Sequence, residues 1–383
     1  MKVLHVCNYH RGRGGADDAF DATVRVSRHR GLDVELFTRD SRALPPGLAG
    51  RLRALFDGVY SLEGVRAFSK ALIDCDPDVV HVHELYPLIS PWILPACRDA
   101  GVPVVMSCSD YRLTCPIATH FSRGEICHRC LDRGEHSLVL RNCRGSVTES
   151  IAYALRGTVN RVTGVLTTHV DHYIVPSEFC RHWLNTRAAI PLRRVTVNQP
   201  AVRFPDRGVD DPAAGEYIGF AGRTAVEKGL DVVIEAARRA GLPVRIAVSP
   251  LHEVGTDVVP GATVVVTQTR EELDTFYRAC RALVVPSLWY ETFSLVAAEA
   301  MSHGVPVIAS RLGALAETVR HDETGLLFTA GDSGDLSSKM KRLWDDPDLC
   351  RRLGSAARER VAADFCEDAH FSRMVSAYQT ALS

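Results

Sequence analysis

No apolar run in this chain of 383 residues reaches the roughly 18–20 residues needed to cross a bilayer, which argues against a helical membrane protein. A signal peptide is missing as well. The apolar part of Met1-Lys2-Val3-Leu4-His5-Val6-Cys7-Asn8 is too short for one and runs straight into a strand-like pattern, so a cytoplasmic location is expected. Neither sign of charge dominates: 45 Lys and Arg stand against 46 Asp and Glu, which argues against the basic footprint of a nucleic-acid binder. No Gly-Lys-Ser/Thr P-loop appears where a phosphate loop is expected, and Gly12-Arg13-Gly14-Gly15-Ala16 is not a GxGxxG fingerprint. Val34-Glu35 makes a poor ribose acid, so NAD binding is disfavoured. No Asp-x-Asp pair stands beside a candidate nucleotide site, so no catalytic metal is expected.

What is present is ordinary for a soluble enzyme, with 46% hydrophobic and 24% charged residues. The length favours two domains. Short β-branched runs at Val3–Val6, Val34–Phe37, Val79–His83, Val102–Met106 and Tyr173–Val175 alternate with amphipathic stretches such as Ala19–Arg30 and Leu62–Ile73. Such runs suit buried parallel strands, and the alternation predicts a doubly wound α/β domain. The scheme repeats with strands at Tyr217–Ala221, Val244–Val248, Ala262–Val266, Ala282–Val285 and Val305–Ala309. Between the halves, 198–216 is rich in Pro, Asp and Gly and reads as a linker. The expected domains are therefore 1–197 and 217–365, with a helical tail over 366–383.

The most specific words lie in the second half. Strand signal Ala282–Ser287 leads into Trp289-Tyr290-Glu291-Thr292-Phe293-Ser294-Leu295-Val296-Ala297-Ala298-Glu299, a helix start bracketed by two carboxylates. A helix N-terminus offers unpaired N–H groups and partial positive charge to a phosphate. Carboxylates on either side would grip hydroxyls, which is what a sugar nucleotide demands. Earlier, Gly219-Phe220-Ala221-Gly222-Arg223-Thr224-Ala225-Val226-Glu227-Lys228-Gly229 places two cations on a glycine-containing loop after a strand. Asp322–Phe328 reads as a turn and edge strand, and Thr267–Glu272 as a helix start.

These words resemble the Glu-x7-Glu and Gly-Arg-(x)-Glu-Lys-Gly elements of retaining GT-B glycosyltransferases of the glycogen-synthase-like family 4. The resemblance implies a GT-B fold: two Rossmann-like doubly wound α/β domains facing across a cleft, the last helix crossing back to the first. It implies that Glu291 holds the donor sugar, that Arg223 and Lys228 neutralise the leaving diphosphate, and that the amides of Phe293, Ser294 and Leu295 hold that diphosphate. Glu299 would bind ribose, and Gly14 and Gly15 would approach the donor closely. The implied partners are a nucleotide diphosphate sugar, UDP-sugars ranked first, and a sugar, lipid-linked or small-molecule acceptor.

Acceptor contacts are expected in the first domain, at His83 and Glu84 on a strand end and at Ser109 and Asp110. Ser109 stands where the family usually has histidine, and serine does not titrate near neutrality. Cys115, Cys127, Cys130 and Cys143 form a C-x11-C-x2-C-x12-C pattern in a polar insert over 115–143. Cys-x2-Cys has the bite for tetrahedral zinc, and the outer cysteines complete a structural four-thiolate site, with His120, His128 and His136 as alternatives. Leu48–Phe56, with Arg51 and Arg53, is read as a packed helix, with peripheral membrane attachment as the rival. Two other activities stay open: a GT-B nucleotide-sugar epimerase or hydrolase, and a non-catalytic sugar-nucleotide-binding protein.

Overall fold

Most of the β-branched runs become strands with both faces buried, as parallel strands flanked by helices require, while the edge strands Asp33–Asp40 and Ala262–Val266 stay largely exposed or half-buried. In the computed structural model, residues 1–12, 14–205, 208, 210–249 and 262–383 are described; Arg13 and parts of 198–216 lie outside them. The chain divides into two α/β units. Met1–Arg123, Cys127–Ala201 and His370–Ser383 make the first, Gly124–Ile126 and Val202–Ala369 the second.

In the first unit six strands run in the order Asp33–Asp40, Lys2–Tyr9, Val79–Glu84, Val104–Ser107, His172–Val175, Val195–Val197, and each neighbouring pair is parallel. The chain steps from Lys2–Tyr9 to one side, then returns to the other side with Val79–Glu84. The second unit repeats this with Ala262–Val266, Val244–Val248, Tyr217–Ala221, Cys280–Val285, Val307–Ser310 and Gly325–Phe328, again all parallel. Here the reversal falls between Tyr217–Ala221 and Cys280–Val285.

The predicted doubly wound α/β class is therefore found twice. Gly325–Phe328 is the edge strand read from Asp322–Phe328, and the helix start near Thr267–Glu272 is fixed by a capping box. Thr269 accepts from Glu272 N–H while the Glu272 carboxylate accepts from the Thr269 N–H. Val195–Val197 gave no signal, since three residues cannot show a period. Val102 lies outside its strand, which opens at Val104, after Pro103.

The terminal helix Glu367–Leu382 places Met374, Ala377 and Tyr378 against Val3, Val79, Val105 and Ile174 of the first sheet. Helix Gly47–Val59 covers the stretch read as Leu48–Phe56. The side chains of Leu48, Arg51 and Leu52 lie outside the described residues, while Arg53 pairs with Asp57 and Glu63. No helix among the described residues is long and apolar enough to cross a membrane.

Candidate active site

Ligands of doubly wound sheets bind beyond the carboxyl ends of the two strands where the order reverses. In the second unit those strands are followed by loops carrying Lys228 and Glu291. The loops meet because Gly229, at φ +71°, leaves room: a Cβ there would sit 2.2 Å from the Pro286 carbonyl oxygen. Leu288 N–H donates to the Glu227 carbonyl at 2.8 Å and stitches them.

Three donors converge on one oxygen of Glu291. Lys228 Nζ lies 2.7 Å, Ser287 Oγ 2.7 Å and Trp289 Nε1 3.0 Å from Oε1. Lys228 also sits over the Trp289 ring. Glu291 is 7% exposed. Burial alone would raise its carboxyl pKa, but the Lys228 charge and the three hydrogen bonds outweigh burial and hold it below the ordinary value. Among the described residues no donor is recorded on Oε2.

Helix Leu295–Ser302 follows, entered through Ser294 at φ +83°. The N–H groups of Phe293, Ser294 and Leu295 stand at its N-terminal end, where no intrahelical acceptor exists. Thr318 Oγ1 donates to the Phe293 carbonyl at 2.9 Å and fixes the entry. Within the helix Glu299 is already engaged: Arg270 donates to Oε1 at 2.6 Å and Tyr277 to Oε2 at 3.0 Å. A carboxylate has about four lone-pair sites, so both oxygens retain capacity for sugar hydroxyls. Arg223 is not brought onto the Glu291–Lys228 pair. Its half-exposed guanidinium pairs with Glu227 at 3.1 Å.

The first unit carries its own charge network at the equivalent reversal, between Lys2–Tyr9 and Val79–Glu84. His10 follows the first strand and Glu84 ends the second. His10 Nδ1 lies 3.3 Å from Asp17 and Nε2 3.5 Å from Glu84. Hydrogen bonds to the two carboxylates raise the His10 pKa to about 10. Glu84 accepts from Leu85 and Tyr86 N–H, at 2.9 and 3.0 Å, and binds Arg112 through both oxygens. Burial would push Glu84 up, but Arg112 and His10 hold it at about 2. Arg112 also grips Asp110, so two expected acceptor residues share one cation. Ser109 is exposed beside them.

Gly14 caps helix Gly15–His29, and its N–H donates to Asp17 Oδ2 at 3.2 Å. A Cβ built at Gly14 would meet nothing within 4 Å. Asp17 and Asp18 occupy the first turn, with Asp17 buried and paired with His10. His83 belongs to a set with His5 and His81 whose ring nitrogens lie within 4.8 Å of one another. His81 spends its nitrogens on Tyr378 and Ser107, at 2.7 and 2.8 Å, and His5 meets His83 at 3.0 Å. Burial lowers all three pKa values, so these are neutral rings in a hydrogen-bonded core.

The four cysteines of the insert all carry free thiols. Burial and then the charges of Cys115, Cys143 and Cys127 raise the Cys130 thiol to about 12. Thiolate is the donor type that a soft ion takes. Among the described residues, however, the only group of three or more potential ligand atoms within 4.8 Å of one another is that of His5, His81 and His83, so the four sulfurs are not drawn together here. His120 is not available as a substitute, since its nitrogens go to Thr114 Oγ1 at 2.8 Å and the Cys127 carbonyl at 2.9 Å. Sequence reasoning missed His10, Asp17, Arg112, Ser287 and Trp289. Trp289 and Ser287 lay inside the quoted words, but nothing in their spacing marked them as donors to Glu291.

Residues 215–346 match the family Glycosyl transferases group 1. This group 1 segment contains both reversal-point loops of the second unit. The chain is similar to an MMP alpha-(1->4)-mannosyltransferase of Mycolicibacterium hassiacum, 40% identical over 30% of this chain and 28% of that protein. It is similar to a D-inositol 3-phosphate glycosyltransferase of Pseudarthrobacter chlorophenolicus, 35% identical over 41% of this chain and 40% of the relative. The matches thus span two fifths or less of these curated relatives. Among solved structures, a sucrose-phosphate synthase from Thermosynechococcus elongatus superposes with a TM-score of 0.72 at 20% identity, covering 99% of this chain and 98% of that one. HepE of Anabaena, solved in complex with UDP, gives 0.65 at 16% identity, covering 99% and 100%. These likenesses show the GT-B fold.

Proposed function

We propose that this protein is a retaining glycosyltransferase that moves a sugar from a nucleotide diphosphate sugar, UDP-sugars first, to an acceptor hydroxyl. The observation that carries the reading is the three-donor clamp on Glu291 Oε1, at the reversal point and inside the group 1 segment. The clamp leaves Oε2 to accept from a donor-sugar hydroxyl. The amides at the start of Leu295–Ser302 and the Lys228 ammonium meet the diphosphate. Arg223 joins them by exchanging Glu227 for phosphate. The acceptor hydroxyl attacks the anomeric carbon on the face the diphosphate leaves. Its proton passes to the departing phosphate oxygen, and attack on that same face retains the configuration. The sequence relatives carry glycosyltransferase names, and HepE is a structural neighbour solved with UDP. On donor type and spacing we assign the four insert cysteines a structural zinc whose binding would draw their sulfurs together; four sulfur ligands would leave no open position for chemistry.

The test is a thermal-shift and mass-spectrometric screen against nucleotide sugars, with and without acceptors, on the wild type and Glu291→Gln. A UDP-sugar should stabilise both proteins. Release of UDP should fall about a hundredfold or more in the variant, the scale on which losing one preorganised polar group acts. No stabilisation by any nucleotide would sink the donor site. Stabilisation without release, across all acceptors tried, would favour the binding-protein alternative.

A further inference from the structure

The first unit holds a cavity of about 440 Å³ whose wall includes Arg112, Arg144, Arg156, Tyr86 and Tyr153. Its acids are Glu84, Asp110 and Glu149. The acids are spoken for. Arg112 holds Glu84 and Asp110, His10 also leans on Glu84, and Arg144 lies 3.5 Å from Glu149. One cation is left over. The Arg156 guanidinium sits 4.1 Å from the Tyr86 ring centre and 4.2 Å from that of Tyr153. Among the described residues no carboxylate pairs with it, and its recorded hydrogen bond goes to the Pro116 carbonyl at 3.0 Å.

Contact with two ring faces holds the guanidinium in place, and one bond to a carbonyl uses one of five N–H donors. A fixed fork with donors to spare matches a phosphate oxyanion bidentately. Arg144 adds a second cation at the same wall, 4.6 Å over the Tyr153 ring. The wall is partly made by Pro116, Ile117 and Ala118, directly after Cys115, so the cysteine-bearing insert shapes this cavity.

We infer that this cavity binds a phosphoryl group, anchored by Arg156 with Arg144, and that the acceptor carries that group. The phosphoryl site stands on the cavity alone. Only its assignment to the acceptor rests on the glycosyl-transfer reading.

The probe is inorganic pyrophosphate, titrated by calorimetry into the full chain with UDP present to fill the second unit. Wild type should bind it, and Arg156→Gln should bind about tenfold or more weakly, the loss expected of one charge-assisted pair. UDP binding, measured separately, reads the donor site, so failure of the transferase reading shows there. Should Arg156→Gln fail to fold, the more exposed Arg144→Gln should weaken pyrophosphate in the same direction. Equal affinity in wild type and the folded variant, or no binding to wild type, overturns the proposal. Flotation with phosphatidylcholine vesicles containing phosphatidic acid distinguishes the source. Arg156-dependent capture names a lipid-borne phosphate, and pyrophosphate binding without capture names a soluble phosphate ester.

Discussion

Folding alters the charge of His10 in a testable way. Its pKa rises from the ordinary 6.5 to about 10 because Asp17 and Glu84 both accept from it. A raised folded pKa gives stability that is whole below pH 6.5 and is lost as pH climbs through about 10. The gap in unfolding free energy between wild type and His10→Gln should therefore shrink as pH rises from 6.5 to about 10 in urea titrations. A gap that is flat over that range would mean His10 is not paired as described. The ring is substantially exposed, so solvent screening keeps the effect modest. His10 was not legible in the sequence: its partners come from a helix turn and from another strand, and no local pattern joins them. Glu291 and Lys228 were legible because each sits in a short word directly after a strand. Their direct pairing was not, because the two loops meet only once the sheet has set neighbouring strands side by side.

At the scale of elements, strands with continuous β-branched runs were readable and three-residue strands were not. Loops depend on single backbone positions, and Gly229 is the one that lets two loops touch. The insert is the least self-sufficient element. It is built of short helices, Arg129–Arg133 and His136–Arg141, which are too brief to persist alone. Something must hold them. If zinc does, native mass spectrometry of the wild type should show one bound zinc, and Cys130→Ser should lose it. A chelator should lower the wild-type melting temperature and leave Cys130→Ser unmoved. Absence of metal from protein refolded with zinc would refute the assignment, and the four thiols would be reduced cysteines only.

At the scale of the whole molecule, the chain closes its first unit last. Residues His370–Ser383 return to it after the second unit is complete. Met374 and Tyr378 are fully buried there, and the Tyr378 hydroxyl meets His81 Nδ1 at 2.7 Å. Removing two such side chains costs about 5–10 kcal/mol, and the stranded imidazole adds about 1–3 kcal/mol. A domain is typically stable by about 5–15 kcal/mol, so the loss is comparable to the whole. A chain ended at Ala369 should therefore lose amide protection along Lys2–Tyr9 and Val79–Glu84, while Cys280–Val285 and Val307–Ser310 keep theirs. Hydrogen exchange read by mass spectrometry resolves these peptides separately. Unchanged protection in the first sheet would mean that the terminal helix only decorates it. The amphipathic tail was visible in the sequence, but the surface it covers was not: the apolar face of a helix says that something is buried, and only the folded sheet says what.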